Sequence, residues 1–346
     1  TTFRRAEMDR SFEIGFIGVG QGGCNIANTF RGMGYEDVMF INTASVDLEG
    51  LEAPDETKFL IGDHSDGAGK DAAEGKRAAE VSIGDIESRI SSLMDQGRVE
   101  KLFVCLGSGG GTGSGAGPVI VDAAQRAGAR VGVIATLPMS RELVSDKVKG
   151  NARGLLDYLC DECDAGSLYP LMILDNQLIK DVAPTRSFRT MWNDGNSYGC
   201  EILHIFNTLS STPTFLNSVD KNDLRGVFDR PGTMFMGRSE NRHVLDKNST
   251  RRSVRASFNR GIFLHSDSPV DQSDCACVMT LPPSVLDMSA RAFDLIVDSI
   301  NEVIDDVPGG NIHRGLYEDA EAKATKIYTI TIGDKSPRKA ISQRLT

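Results

Sequence analysis

The sequence contains no apolar run of about 18 residues and nothing with the layout of a secretory leader, so it predicts neither a membrane span nor export. It is short of basic residues. Against 48 Asp and Glu stand 38 Lys and Arg, a formal net charge of −10, and such a surface repels nucleic-acid phosphates and anionic membranes. Direct nucleic-acid binding is therefore not expected. Seven cysteines, odd in number and set in apolar segments, predict reduced thiols in a cytoplasmic protein instead of a disulfide framework. Cys160-x-x-Cys163 and Cys275-x-Cys277 lack a histidine pair at ligand spacing, which argues against structural zinc. Internal repeats and low-complexity blocks are missing too. So is a G-x-x-x-x-G-K-[ST] phosphate loop: the nearest stretch, Gly67-Ala-Gly-Lys70-Asp71, has neither the spacing nor the hydroxyl.

What is present describes a globular chain with a large core, 346 residues of which 40% are hydrophobic and 25% charged. After an N-terminal extension over 1–11, Phe12 to Val19 reads as an apolar strand that runs into a glycine turn and then a helix from Asn25 to Phe30. Val38 to Asn42, Lys101 to Leu106 and Arg130 to Thr136 repeat the strand theme with helical stretches between them. Residues 12–185 thus predict a Rossmann-like α/β domain with a parallel sheet. A central helical region follows over 186–210. Residues 211–333 read as a smaller α+β domain, with strands at Gly232 to Gly237, Asp274 to Leu281 and Thr325 to Gly333 and an amphipathic helix at Ser289 to Val307. The basic tail, 334–346, carries Lys335, Arg338, Lys339 and Arg344 with little apolar content, and is expected to be frayed or mobile.

The most informative segment is GSGGGTGSGAG at 107–117, between the strand LFVCL and the helical PVIVDAAQRAG. Seven glycines in eleven residues let backbone amides approach a ligand closely, and the helix N-terminus that follows adds favourable partial charge for an anion. A flexible linker there would leave conformational entropy uncompensated. The first turn, Gly18-Val-Gly20-Gln-Gly22-Gly23, also fits G-x-G-x-x-G, the dinucleotide-binding pattern. That pattern wants an acidic residue at the end of the second strand, where this chain has Asn42-Thr43-Ala44.

These residues resemble the tubulin/FtsZ superfamily, whose signature GGGTGSG stands at 109–115. GVGQGGCN at 18–25 resembles its first phosphate loop, INT at 41–43 the loop after the second strand, GAGKDAAEGKRAA at 67–79 the γ-phosphate-sensing loop and TLPMSRE at 136–142 the ribose loop. The resemblance implies a GTPase binding GTP or GDP through Gly20, Gln21, Gly22, Cys24, Asn25, Ala68, Gly69, Lys70, Ser108, Gly109, Gly110, Gly111, Thr112, Gly113, Pro138 and Glu142, with Mg2+ held through phosphates and water. In LDNQLI at 174–179, Asn176 takes the place of the guanine contact. Trp192 and Asn196, one helical turn apart, take the places of the residue that stacks on guanine and the one that bonds its edge. A lone tryptophan more often fills a core, but the spacing and the family position favour stacking.

NSVDKNDLRGVF at 217–228 resembles the FtsZ loop that completes the active site of the neighbouring subunit, with Asp220 and Asp223 as its acidic residues and Arg225 following. Charged loop residues are usually only solvated; the adjoining DRPGTMFMG at 229–237, similar to the strand after that loop, reverses the judgement. The implied mechanism puts half a site on each subunit and completes it by head-to-tail stacking into a filament. Ser218 departs from the FtsZ pattern, which has an asparagine there. The chain ends without FtsZ's acidic linker and apolar peptide, and without tubulin's long C-terminal helical region, so the resemblance leaves cell division, cell shape and plasmid, DNA or phage positioning open as its role. The basic tail is the expected contact for an adaptor. Two other classes remain at this point: a NAD-dependent enzyme using the first glycine turn, and a GTP-binding regulator that does not polymerise.

Overall fold

A computed structural model describes residues 9–63, 65–95, 99–182, 188–214, 217–244, 246–268, 274–305 and 312–346. Its ten strands are β1 (Ile14–Val19), β2 (Val38–Asn42), β3 (Lys58–Leu60), β4 (Lys101–Gly107), β5 (Val131–Leu137), β6 (Leu171–Asp175), β7 (Thr233–Asn241), β8 (Asp274–Leu281), β9 (Ile312–Glu318) and β10 (Thr325–Gly333). They form one sheet in the order β3-β2-β1-β4-β5-β6-β7-β10-β8-β9. From β3 to β6 all neighbours are parallel. β6 and β7 share the pair Leu171–Thr233, and β10 runs antiparallel to both β7 and β8.

The inner parallel strands β1, β2 and β6 are buried along their whole length, because helices cover both faces, whereas β3 at the edge is half-buried to exposed. Side chains alternate between two cores. Phe16, Phe103 and Cys105 face α1 (Gly20–Gly32), α8 (Phe188–Leu209) and α9 (Lys221–Phe228), whereas Ile17, Val19, Val104 and Leu106 face α4 (Ile83–Asp95), α5 (Gly111–Arg126) and α6 (Asp146–Asp164). The shorter α2 (Ser45–Glu49), α3 (Ala72–Val81) and α7 (Asn176–Val182) follow β2, β3 and β6. A third core lies under α10 (Lys247–Asn259) and α12 (Ala290–Asp305), beside the single turn α11 (Pro283–Leu286). All seven cysteines are free and buried. Among the described residues no helix is long and apolar enough to cross a membrane. Residues 9–11 of the expected extension are tied to the end of α8: Ser11 donates its amide to the Asn207 carbonyl at 2.9 Å, and Ser210 Oγ donates to Ser11 Oγ at 2.6 Å.

One expectation is overturned. The basic tail is not frayed but ends in α13 (Arg338–Leu345), which lies on α6 with Ile341 and Leu345 buried. Asp164 accepts from the Ser336 amide and hydroxyl, Asp161 accepts from Arg338 at 2.7 Å, and Lys149 and Arg153 donate to the carbonyls of Thr346 and Leu345. The basic charges that suggested a solvated tail are the means of docking it.

Candidate nucleotide and hydrolysis site

The strand order reverses between β1 and β4, which lie side by side and parallel, and at such a switch point the carboxyl ends of the strands open a ligand crevice. Here β1 runs straight into α1 at Gly20, and β4 reaches α5 at Gly111 through the three-residue turn 108–110. Neither helix has a side-chain cap or an acidic residue in its first turn. Their first amides lack intrahelical acceptors and sit at the positive ends of the two dipoles, so the crevice presents two adjoining anion-binding ends.

Close approach of the two turns depends on glycine. Gly20 has φ +67°, and a Cβ there would lie 3.0 Å from the Gly113 nitrogen; a Cβ on Gly113 would lie 2.3 Å from the Gly107 carbonyl oxygen. Gly110, in ordinary extended backbone, has no atom within 4 Å of its Cβ position and therefore faces open space. Ser108 Oγ donates to the Thr136 carbonyl and Ser114 Oγ to that of Ser108, each at 2.5 Å. The hydroxyls of Thr43 and Thr112 are 2.7 Å apart, joining the INT segment to α5.

The 67–71 loop packs over the start of α5, with Ala68 against Gly111 and Lys70 in left-handed backbone at φ +58°. Sequence reasoning missed the two residues of α6 that hold this loop: Lys147 donates to the Gly69 carbonyl at 3.2 Å, and Asn151 to the carbonyls of Lys70 and Gly109 at 3.0 and 3.4 Å. A polar face on α6 was the only signal for them. On the other side, the Pro138 ring lies 3.3 Å from the Cβ position of Gly109. Glu142 is half-buried and accepts the Met139 amide at 2.8 Å, which folds the 136–142 loop upon itself.

At the first turn Gln21, Gly22 and Asn25 are exposed, but the Cys24 side chain points away from the crevice. Its thiol donates to the carbonyls of Gly18 and Ile41, and burial pushes its pKa up to about 12. Any contribution of Cys24 to a ligand is thus through its backbone. Asn176 opens α7 and Asn196 lies on α8, both half-buried. A Cβ at Gly195 would meet Ile179 at 2.5 Å, so the two helices cross closely there. Trp192 belongs to α8, but its side chain is outside the described residues.

Asp220 and Asp223 sit at the other end of the sheet. Asp220 caps α9, its Oδ1 accepting the amides of Asn222 and Asp223 at 2.7 and 2.9 Å, while Asp223 Oδ2 accepts the Asp220 amide at 3.0 Å. Asp223 Oδ1 also lies 3.0 Å from His313 Nδ1, a partner that the sequence did not reveal. Lys221 Nζ is 2.7 Å from Glu100 Oε1, and Lys101 pairs with Asp229 at the close of α9. Glu100 and Lys101 stand at the amino end of β4, whereas the glycine loop springs from its carboxyl end. Seven residues of strand separate them by roughly 20 Å.

The sequence model of the Tubulin/FtsZ family, GTPase domain, matches residues 13–184. The chain belongs to the tubulin/FtsZ family, and it is a GTPase. It is 27% identical over 331 residues to cell division protein FtsZ 1 of Archaeoglobus fulgidus, spanning 94% of this chain and 83% of that protein. It is 26% identical to the tubulin-like protein CetZ of Pyrococcus horikoshii, spanning 92% of this chain and 84% of that protein. A crystal structure of a GTPγS-form protofilament of TubZ from Bacillus thuringiensis serovar israelensis superposes with a TM-score of 0.79 at 17% identity, covering 97% of this chain and 92% of that one. A GTPγS-bound protofilament of CetZ2 from Haloferax volcanii gives 0.72 at 19%, covering 96% and 97%. These likenesses establish the mixed α/β fold expected from the sequence.

Proposed function

We propose that this family member is a cytoskeletal GTPase that assembles head to tail, the crevice of one subunit holding GTP or GDP and the α9 end of the next supplying Asp220 and Asp223. The observation that carries the reading is the position of the two half-sites at opposite ends of β4. Within one subunit the carboxylates cannot reach a phosphate at the glycine loops. A stack in which the amino end of one sheet meets the carboxyl end of the next brings them together, and such a contact is heterologous, so it repeats along a filament. The protofilaments of the TubZ and CetZ2 structures support the same arrangement.

In this reading the amides of Gly20 to Gly22 and Gly109 to Gly113 hold the phosphates, Ala68, Gly69 and Lys70 lie on the γ side, Pro138 and Glu142 hold the ribose, and Asn176, Trp192 and Asn196 the base. Magnesium carried in with the nucleotide would supply charge neutralisation at the β- and γ-phosphates. Asp71, beside Lys70, caps α3 with its Oδ1, which accepts the amides of Ala73 and Glu74. Asp220 and Asp223 orient or deprotonate the attacking water. The filament serves cell division, cell shape or the positioning of DNA or phage particles.

Two defective chains test the shared site. Gly110→Trp fills the open space before the α5 amides and should abolish GTP binding; Asp220→Asn should bind and assemble without turnover. Each alone is expected to be nearly inactive, and the mixture to regain part of the activity. A dead mixture in which both chains co-pellet in one polymer refutes the proposal. So does a specific activity that stays flat over a hundred-fold dilution of the unaltered protein.

A further inference from the structure

Arg344, in α13, is far from the glycine loops in sequence, yet it meets the opposite wall of the same crevice. Its Nε and one terminal nitrogen donate to the two carboxylate oxygens of Asp175 at 2.8 and 3.1 Å, a bidentate pair with Asp175 only 3% exposed. The same terminal nitrogen donates to the Pro138 carbonyl at 3.1 Å, and the other donates to Ser140 Oγ at 2.9 Å. One guanidinium thus ties three elements: the 136–142 loop, the end of β6 and α13.

Asp175 extends the tie. Its Oδ1 also accepts the Gln177 amide at 2.9 Å and so fixes the first turn of α7, which begins at Asn176. Pro138 in turn lies against Gly109. Planar, permanently charged and provided with donors in a rigid fork, arginine suits this bridging task where lysine, a point charge, does not. An ion pair this sheltered does not serve as surface decoration. It holds two loops at a fixed separation, and side chains locked from behind keep the groups that meet a ligand in place.

We propose that Arg344 is a positioning residue for the nucleoside side of the crevice, holding the 136–142 loop and the Asn176 turn at the spacing that guanosine requires. α13 is then part of the binding site through its arginine, although it touches no nucleotide. This rests on the assignment of Pro138, Glu142 and Asn176 to ribose and base.

The test is GDP affinity, measured by calorimetry on the full chain below its assembly concentration, with melting of the nucleotide-free protein in parallel. Arg344→Ala should weaken GDP about tenfold, the scale for loss of charge-assisted hydrogen bonds, and Arg344→Lys should restore only part of it. Ser140→Ala should weaken GDP less, and adding it to Arg344→Ala should cost little more. Arg338→Ala, which loosens the opposite end of α13 and its contact with Asp161, should lower the melting temperature with GDP affinity unchanged. In turnover, Arg344→Ala should raise KM and leave kcat of the assembled protein near its original value. If Arg344→Ala does not fold, Ser140→Ala and Arg344→Lys carry the same comparison. The proposal is overturned if GDP binds the altered and unaltered chains equally, or if Arg338→Ala weakens GDP as much as Arg344→Ala. An unaltered chain that binds no guanine nucleotide refutes instead the crevice assignment on which the proposal rests.

Discussion

Asp220 has two tasks that substitution can separate. It caps α9 through the amides of Asn222 and Asp223, and in the assembled protein it is assigned to the attacking water. Alanine removes both functions. Loss of an N-cap costs about 1 kcal/mol; with an unfolding entropy of about 2.1 cal/mol/K per residue over this length, the melting temperature should fall by only about 1–2 °C. Asparagine caps as well as aspartate, so Asp220→Asn should melt within about 1 °C of the unaltered chain. It cannot take a proton from water, however, and GTP turnover above the assembly threshold should fall about a hundredfold or more in both variants. Melting curves without nucleotide, phosphate release and pelleting from the same preparations complete the comparison. If Asp220→Asn turns over at the original rate while Asp220→Ala loses activity only as its folded fraction falls, Asp220 is a cap and nothing more.

Gly113→Ala, whose Cβ would meet the Gly107 carbonyl at 2.3 Å, should destabilise the chain by about 3 kcal/mol, whereas Gly110→Ala, facing open space, should cost about 1 kcal/mol or less, the loss of a glycine N-cap; equal melting temperatures would contradict the packing of the two turns. Burial, with Arg10 nearby, lowers the His204 pKa from 6.5 to about 4. The unfolded chain therefore takes up this proton first as pH falls, so stability should drop between pH 6.5 and about 4, by about 3 kcal/mol at most. Denaturant melts of His204→Gln should flatten over that window, and an unchanged slope counts against the assignment. Emission of the sole tryptophan, Trp192, should change on titration with GTP or GDP and not with ATP; silence while binding is registered by another method removes it from the base.

The glycine loops were legible because their signal is local: a run such as Gly107 to Gly117 between a buried strand and a helix has few uses other than close backbone approach. β8 and β10 were found with their observed bounds for a related reason, each being an apolar run between clear breaks. β9 was missed, since Ile312–Glu318 interleaves His313, Arg314 and Gly315 with its apolar residues, and only pairing with β8 makes it a strand. α13 failed for the opposite reason. Its polar composition is that of a solvated tail, and the carboxylates that bind it, Asp161, Asp164 and Asp175, lie more than 150 positions earlier. His313 beside Asp223 and Lys147 beside the Gly69 carbonyl were illegible on the same ground, as distance along the chain hides a polar contact that the fold creates.

The buried cysteines have a practical consequence for watching this protein at work. A thiol attacks an alkylating dye only as its thiolate and only where the reagent can reach it. Cys24, Cys275 and Cys277 are pushed up to about 12 by burial and Cys160 to about 11, and all seven thiols are enclosed in the cores. The native fold should therefore stay dark to a maleimide fluorophore at neutral pH. One cysteine introduced at Val144, which is 83% exposed, would then be the single labelled point on each subunit, with none of the original seven replaced.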